Sequence, residues 1–389
     1  MPSPSVLLRG PGWKLPGPLD LREPVEVRSV AADRPDGLPA LLAWLDGIAS
    51  SGLPDLFAAG FVTYEAGIAL EGSASLFRPP PTPLAWFGLF DARAAREPAA
   101  RDEEARGAAY GPYGEMDAGE WARAVEKIRE GIANGDVYQA NLTRRTSRTF
   151  GIPPRRLAGL LWDDNPVPYA ICIETGESAV VSNSPELFLD ADLGSRRAAS
   201  SPIKGTVPRL LGGSEEAARE ALLASGKDAA EHLMIVDLVR NDLGRVCEAG
   251  SVHVPALRTL KTFRHLHHLE STVAGTLRAG IGLSGLLGAT LPAGSITGAP
   301  KRAALGFIRR LEPVPRGPYT GAAGYVRGDG TAVLNVAIRT AIVSGGTVAY
   351  HAGGGIVWDS DPASEWVETE TKSREFFRAL AAAGAEEVP

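Results

Sequence analysis

The sequence predicts an α+β fold, in which antiparallel β-sheets pack against helices that lie outside them. Three observations predict it: strand-like segments are joined by short turns, helical periodicity is confined to separate stretches, and the two kinds of segment follow each other without a regular βαβ alternation. The 389 residues, 44% of them apolar, can bury a core large enough for one large domain or two ordinary ones.

Two strands are predicted in the first 110 residues, which are rich in proline, glycine and alanine. The segments 60–65 and 84–90 combine aromatic and β-branched residues in the way that strands do. The charged stretch 91–108 contains few apolar residues, so it is predicted to be an exposed connector.

A helix is predicted to begin after Asp117. This residue type caps helices, and Glu120 three positions later completes a capping box. The apolar face that follows repeats at helical spacing and consists of Trp121, Val125, Ile128 and Ile132. The segment 134–136 has glycine at its centre and is predicted to end the helix.

Hairpins and helices follow in irregular order along the rest of the chain. Residues 168–174 are predicted to pair with 178–182, and residues 333–344 with 347–350 across a Gly-Gly turn. Further helices are predicted at 214–224, 228–243, 300–311 and 363–382.

Charge and hydropathy exclude several classes of protein. The net charge is −6, and no stretch combines clustered Lys and Arg with aromatic residues, which argues against a nucleic-acid-binding surface. No run of 18 apolar residues and no secretory pattern occurs, so a soluble, cytoplasmic protein with no membrane segment is expected. Cys172 and Cys247 lie in apolar contexts and are expected to be reduced and buried.

Lys204 is the first candidate for chemistry, because it is one of 7 lysines among 40 basic residues. An amine can lose its proton and attack carbon, which a guanidinium cannot do. The residues around it, Pro-Ile-Lys-Gly-Thr, place it at the end of an extended segment next to a tight bend. A surface lysine in a turn is the alternative interpretation.

Two pairs of acidic residues are candidates for a metal site. Asp228 and Glu231 are three positions apart near the start of one predicted helix, and Glu365 and Glu368 have the same spacing near the start of the last one. Four acids on two helices could hold Mg²⁺ and leave positions for a ligand carboxylate. Such pairs are also common on solvated helix faces, because the helix dipole favours acids near the N-terminus.

Other segments have the residue types of an anion-binding site. Three consecutive glycines, 353–355, follow a strand predicted to end near His351, and they let backbone amides approach a ligand. Hydroxyls and a helix N-terminus occur in 295–301. Arg339 lies in an apolar predicted strand, and an inward guanidinium there would need a carboxylate. His268 is a possible proton carrier, although core histidines are more frequent.

Taken together, several ordered motifs resemble the chorismate-utilising enzymes, namely component I of anthranilate synthase and of aminodeoxychorismate synthase. The resemblance extends from about residue 117 to 380, and its motifs lie at 138–144, 184–188, 202–206, 234–245, 294–301, 319–321, 352–357 and 359–362.

Two positions distinguish members of this family. Isochorismate and salicylate synthases carry a water-activating lysine where this chain has Gln139, which disfavours them. Anthranilate synthases carry alanine at the position of Lys204, whereas aminodeoxychorismate synthases carry Pro-Ile-Lys-Gly-Thr. The resemblance therefore implies the Mg²⁺-dependent amination of chorismate to 4-amino-4-deoxychorismate, for 4-aminobenzoate and folate or a related aromatic amine. Anthranilate synthase component I is the alternative enzyme, and a non-catalytic subunit that activates a glutaminase is the alternative from another class.

The resemblance also implies residue roles. Lys204 would attack ring carbon 2 of chorismate, with Glu186 and His268 as the other catalytic residues. At its ordinary pKa a lysine is neutral only about once in 2,500 molecules at pH 7, so the pocket must lower that pKa. The implied metal residues are Glu231, Glu368, Glu365 and Asp228, the last one methylene shorter than the family's glutamate. The implied substrate-binding residues are Gln139, Thr206, Ser295, Tyr319, Arg339, Gly353, Gly354, Gly355 and Lys372.

The fold and partner follow from the same resemblance. It implies a single large domain of two orthogonal antiparallel sheets sandwiched between helices, in which residues 1–110 contribute strands and 117–383 form the chorismate-binding region. Neither cysteine lies on the glycine-flanked elbow that a glutaminase needs, so ammonia is expected from a separate glutamine amidotransferase. The N-terminal third shows no Leu-Leu-Glu-Ser segment, the segment that binds tryptophan in many relatives, so feedback by tryptophan is not expected.

Overall fold

The computed structural model of the chain describes residues 3–95, 116–149, 151–209, 215–264 and 266–382, without the side chains of residues 206, 208, 227, 228, 374, 375, 378, 379 and 382. The α-helices in these ranges are α1 (Leu38–Ala49), α2 (Tyr64–Leu70), α3 (Ala118–Ala133), α4 (Pro154–Asp164), α5 (Glu215–Ala224), α6 (Gly226–Gly244), α7 (Leu283–Thr290), α8 (Lys301–Leu311) and α9 (Pro362–Ala382). The strands are β1 (Ser5–Arg9), β2 (Leu19–Arg22), β3 (Glu26–Val30), β4 (Leu53–Val62), β5 (Ala85–Asp91), β6 (Gln139–Thr149), β7 (Tyr169–Glu174), β8 (Ala179–Ser184), β9 (Leu187–Asp192), β10 (Arg197–Ser201), β11 (Ile203–Pro208), β12 (His253–Thr262), β13 (Leu266–Thr276), β14 (Gly298–Ala299), β15 (Ala322–Gly328), β16 (Thr331–Val336), β17 (Thr340–Ser344) and β18 (Thr347–Ile356).

The strands form two antiparallel sheets. Sheet A has the order β14-β6-β18-β17-β8-β7-β1-β2, and sheet B has the order β11-β13-β10-β9-β16-β15-β4-β5-β3, with β12 beside β13. The first two strands of the chain join sheet A beside β7, whereas β4 and β5 join sheet B beside β15. This confirms the predicted α+β fold with two antiparallel sheets in a single domain.

Apolar side chains from the facing sides of the two sheets form one core between them. Ile171 of sheet A and Phe61 and Tyr325 of sheet B belong to this inner cluster, together with the fully buried Trp13. A second cluster packs α1, α6 and α7 on the outer face of sheet B, and a third packs α4 and α9 on the outer face of sheet A. The described residues are therefore layered as helices, sheet, sheet and helices, which is how each apolar face is removed from water.

Most predicted elements are confirmed with small shifts at their ends. Asp117 caps α3 through a full capping box with Glu120, and the chain leaves the helix at Asn134 and Gly135, the latter with φ 79°. The hairpin of β7 with β8, the hairpin of β17 with β18 and the four later helices lie where periodicity and turn residues predict them. Both cysteines are free and buried, as expected.

Two predicted strands are wrong in part. The strand predicted over 60–65 ends at Val62, because the hydroxyl of Thr63 accepts from the backbone N–H of Ala66 and caps α2. The segment 333–344 is two strands in different sheets, with Arg339 at φ 49° in the link between them. Residues 96–108 of the predicted connector lie outside the described residues.

The α-helices within the described ranges are between 7 residues long, in α2, and 21 residues long, in α9. None of them is long and apolar enough to cross a membrane.

Candidate active site

Lys204 lies where an edge of sheet B faces an edge of sheet A. Lys204 is in the edge strand β11 of sheet B, and Gln139 and Gly355 are in β6 and β18 near the edge of sheet A. A Cβ atom built on Gly355 would lie 2.0 Å from Nε2 of Gln139 and 3.1 Å from Nζ of Lys204. The lysine amine therefore approaches Gly355 from sheet B, and the glutamine amide approaches the same glycine from the adjacent strand of sheet A.

A bulge in β11 follows Lys204 directly. Lys204 pairs with Leu269 and Thr206 pairs with His268, so Gly205 is left without an opposite residue. Gly205 has φ 81°, a conformation that glycine adopts without strain. The Lys-Gly order in the sequence thus specifies the bend that follows Lys204.

The pKa of Lys204 is lowered, which favours the free amine. Burial is the main cause, and the nearby ammonium of Lys372 acts in the same direction. The carboxylates of Glu231 and Glu186 oppose the shift by stabilising the charged form. A nucleophilic lysine needs a lowered pKa, and the pKa of Lys204 is shifted in that direction. The side chain nevertheless keeps partial contact with solvent.

Glu186 lies beside the lysine, immediately before β9. Burial raises the pKa of its carboxyl to about 7, against a hydrogen bond with Ser295 and the charge of Lys204, which lower it. Ser295 belongs to a short 3-10 turn, Gly294–Ile296. A carboxyl that titrates near neutral pH next to an amine with a lowered pKa is the combination needed for proton transfer.

Two buried polar groups at this site have no hydrogen-bond partner among the described residues. Gln139 is fully buried, and neither its amide oxygen nor its amide nitrogen is paired. Nε2 of His268 is also buried and unpaired. A buried polar atom without a partner is destabilising by about 1–3 kcal/mol, so both groups are available to hydrogen-bond a polar ligand.

His268 and Arg339 are brought close to each other. Burial, together with the charge of Arg339, lowers the pKa of His268 to about 4. The imidazole is therefore neutral at pH 7. Its ring packs against Phe263 at 4.6 Å between centroids.

Tyr319 lies in the loop before β15. Its ring stacks on His351 at 4.9 Å, and burial raises the pKa of its hydroxyl. His351 is buried at the centre of β18 and received no role from the sequence, because a single histidine within an apolar strand carries no spacing signal.

The acidic pairs lie near the starts of α6 and α9, as predicted. The carboxylate of Glu365 accepts from the hydroxyl of Ser360 at 2.7 Å and lies near Gly354. The ammonium of Lys372 donates to Glu368 at 2.6 Å and to the carbonyl of Gly353 at 2.9 Å. Ser360, which orients Glu365, lies inside the motif at 359–362, but the sequence analysis predicts no role for it.

Magnesium fits the donors present, although they do not form a closed cluster. Glu231 and Glu368 act on the same lysine from two helices, and carboxylate oxygens are the ligands that Mg²⁺ prefers. No three Asp, Glu, His or Cys side chains within the described ranges form a ready metal cluster. The side chains of Asp228 and Thr206 lie outside the described part of the structure.

Two predictions about local structure at the site are wrong. The three glycines lie inside β18, which continues to Ile356, because their lack of side chains lets β6 and the site residues approach closely. Arg339 lies in the link between β16 and β17 and not in a strand. Ser295 lies in the 3-10 turn Gly294–Ile296, which precedes β14 and α8 in the chain.

The two antiparallel sheets, with a lysine and a carboxyl between their edges, are the architecture of an enzyme with its active site between two sheets. Comparison with known proteins identifies the family. A family model described as chorismate binding enzyme matches residues 21–378. The chain belongs to this family.

Individual relatives have related names. Anthranilate synthase component 1 of Pseudomonas putida is 40% identical over 324 residues, which is 82% of this chain and 62% of that protein. Aminodeoxychorismate synthase of Streptomyces pristinaespiralis is 42% identical over 262 residues, 67% of this chain and 36% of that protein. The crystal structure of anthranilate synthase component I from Streptococcus pneumoniae TIGR4 matches with a TM-score of 0.77 at 26% identity, covering 96% of this chain and 92% of that one. The chain thus spans less than two thirds of the length of the curated relatives it matches.

Proposed function

We propose that this chain aminates chorismate to 4-amino-4-deoxychorismate through a covalent adduct with Lys204, using ammonia from a separate glutaminase subunit. The observation that carries the proposal is the position of the Lys204 amine, which faces Gln139 and Gly355 and interacts with Glu186. In this proposal residues 117–383 form the catalytic region.

The first step is the formation of the adduct. The free amine of Lys204 bonds to ring carbon 2, the two ring double bonds shift, and the bond between carbon 4 and its hydroxyl breaks. Glu186, with a pKa of about 7, supplies a proton so that the hydroxyl leaves as water. The amine then gives up its extra proton to the resulting carboxylate.

The second step reverses the electron shift. Ammonia bonds to carbon 4, the double bonds return, and the bond between carbon 2 and the lysine nitrogen breaks. The new ammonium at carbon 4 gives up a proton, and Glu186 returns one to Lys204 as it leaves. The unpaired amide of Gln139 offers a hydrogen-bond acceptor for the incoming ammonia.

Substrate carboxylates have cationic and metal partners in this proposal. Glu231 and Glu368, with Glu365, would hold Mg²⁺, which supplies positive charge to a carboxylate of the substrate when it is bound. Arg339 and Lys372 are the proposed protein cations for substrate, with Tyr319 and Ser295 as hydrogen-bonding residues.

Anthranilate formation is the second candidate function. It is supported by the names of relatives, since proteins at 39–42% identity include several called anthranilate synthase component 1. Both reactions use chorismate and ammonia but differ in the product: anthranilate has lost the enolpyruvyl group as pyruvate, whereas 4-amino-4-deoxychorismate keeps it.

The test is a mass analysis of the product formed from chorismate, ammonium and Mg²⁺. We expect a product that retains the enolpyruvyl group. We expect no turnover when glutamine replaces ammonium, because the proposed glutaminase is a separate subunit. Fluorescent anthranilate and free pyruvate would favour the second candidate. An inert chain in every condition would instead support a subunit that only activates a glutaminase.

The role of Lys204 is tested with Lys204→Ala and the matched control Lys127→Ala. Lys127 is exposed on α3 and pairs with Glu130 of the same helix. We expect the control to keep full activity and Lys204→Ala to lose about 100-fold or more in kcat. Unchanged turnover in Lys204→Ala would exclude the covalent route.

A further inference from the structure

His232 connects α6 to the backbone of Lys204. It follows Glu231 in the helix and is buried, with 1% of its surface exposed. Its Nδ1 lies 3.2 Å from the carbonyl oxygen of Lys204, and its Nε2 lies 2.6 Å from the hydroxyl oxygen of Ser271 in β13. The ring thus bridges two strands of sheet B from the helix that covers them.

The hydrogen-bond partners determine which ring nitrogen carries the proton. A carbonyl oxygen can only accept, so Nδ1 of His232 must donate to Lys204, and Nε2 of the neutral ring must accept from Ser271. The backbone N–H of Arg258 donates to the Ser271 hydroxyl oxygen at 2.8 Å, which leaves that hydroxyl free to donate to the ring.

Ser271 holds the lysine segment at two points. Its backbone N–H donates to the carbonyl of Pro202 at 3.1 Å, and its side chain acts on the carbonyl of Lys204 through His232. The contact through His232 is made at Lys204, the last residue before the bulge at Gly205, where regular strand pairing is interrupted. The position from which the lysine side chain leaves the backbone is therefore fixed by the histidine.

We propose that His232 is a positioning residue that aims Lys204 at the substrate, acting through the Nδ1–H bond to the Lys204 carbonyl and supported by Ser271. Two consecutive residues of α6 then serve one lysine: Glu231 acts on the charge of its amine, and His232 fixes its backbone. The functional consequence rests on the proposed role of Lys204 as the nucleophile, but the tautomer and the hold on the backbone do not.

The first test needs only the unmodified protein. A ¹⁵N–¹H correlation spectrum of ring-labelled histidines at pH 8 distinguishes the Nδ1–H tautomer from the Nε2–H tautomer, and the signal of His232 is assigned from its loss in His232→Asn, or from its shift in Ser271→Ala. We expect the Nδ1–H form. An Nε2–H ring would overturn the proposal, because it cannot donate to the carbonyl.

The second test compares two substitutions that each keep half of the bridge. The side-chain NH₂ of Asn reaches roughly the position of Nδ1, whereas that of Gln reaches roughly the position of Nε2, so His232→Asn keeps a donor for Lys204 and His232→Gln does not. The exposed His253→Asn in β12 is the control. Lys204 is monitored by its rate of acetylation with acetic anhydride relative to the exposed Lys14, and activity by kcat and KM for chorismate.

We expect His232→Gln to change the relative acetylation of Lys204 by about fivefold or more and to lower kcat about tenfold with little change in KM, as loss of one hydrogen bond would. His232→Asn should keep at least half of the normal values, and His253→Asn all of them. Equal effects of Asn and Gln on acetylation, or no effect of either, would overturn the proposal. Altered acetylation in a protein that never converts chorismate would leave the positioning role standing and reject the proposed function alone.

Discussion

At the scale of single residues, the site depends on two groups whose pKa values are shifted towards each other. Burial lowers the pKa of Lys204 and raises that of Glu186, because each loses water that would stabilise its charged form. Each also stabilises the charge of the other, which limits both shifts. An acid and a base with approaching pKa values exchange protons readily, which suits a cycle in which one carboxyl serves two bond-breaking steps.

This pairing predicts a bell-shaped dependence of kcat/KM for chorismate on pH. The rate rises as Lys204 loses its proton, and it falls as Glu186 loses its own above a pKa of about 7. We expect Glu186→Gln to lower kcat by about 100-fold or more and to remove the falling limb. The measurement is the initial rate at each pH with the concentration of neutral ammonia held constant. A falling limb that persists in Glu186→Gln would assign it to another group.

The raised pKa of Glu186 also predicts an effect on stability. Between pH 4.5 and about 7 the folded protein holds a proton that the unfolded chain has released, so this residue makes the fold less stable as the pH rises through that range. Glu186→Gln should therefore stabilise the protein at pH 8, by up to about 3 kcal/mol, and have little effect at pH 4.

Urea unfolding of both proteins at pH 5 and pH 8 measures this difference. The gain from the substitution should grow with pH while activity is lost, as expected where function requires a destabilising group. A gain of equal size at both pH values would mean that packing and not ionisation is responsible.

At the scale of elements, two glycines of β18, Gly353 and Gly355, are required for different reasons. A Cβ on Gly353 would lie 2.2 Å from the backbone carbonyl of Leu142, which cannot move without shifting β6. A Cβ on Gly355 would meet the ends of the Gln139 and Lys204 side chains, which can move but define the site. The same residue type is thus required for strand packing at one position and for access to the lysine at the other.

Alanine substitutions should separate these two roles. We expect Gly353→Ala to destabilise the fold by about 2–4 kcal/mol through its clash with backbone. Gly355→Ala should change stability by less than about 1 kcal/mol but lower kcat/KM at least about tenfold. Gly288→Ala in α7, where an added Cβ meets nothing within 4 Å, is the control and should be neutral or slightly stabilising. The measurements are the thermal unfolding and the kinetics with chorismate of the three variants. Full activity in Gly355→Ala would contradict the proposed role of Gly355 in access to Lys204.

Local sequence patterns predict some elements of this fold and not others. Long amphipathic helices and turn-linked hairpins follow from local patterns, so α3, α6, α9 and the β7–β8 hairpin are predicted within a few residues of their ends. The break at Arg339 is not, because its left-handed backbone is required only by the crossing of the chain from one sheet to the other. Lys204 and Glu186 are found through motifs, whereas His232 is found only from its contacts across three elements.

At the scale of the whole molecule, the N-terminal residues are structural parts of both sheets. β4 lies between β15 and β5 inside sheet B, and β1 lies between β7 and β2 in sheet A. Trp13 joins the two, since its indole N–H donates to Ala170 of sheet A and its carbonyl accepts from the Tyr325 hydroxyl of sheet B. The core between the sheets therefore contains side chains from the first 95 residues and from strands that lie much later in the chain.

This interleaving predicts that the chain unfolds as one unit and that residues 116–389 do not fold alone. Without β4 the strand β15 loses one of its two neighbouring strands and keeps only β16, and the inner faces that Trp13 and Phe61 cover are exposed to water. The full chain should show one urea transition, coincident by tryptophan fluorescence and far-ultraviolet circular dichroism. The fragment should show neither a cooperative transition nor turnover of chorismate. A cooperative, active fragment would mean that the catalytic region is an independent domain, to which the first 115 residues are only an attachment.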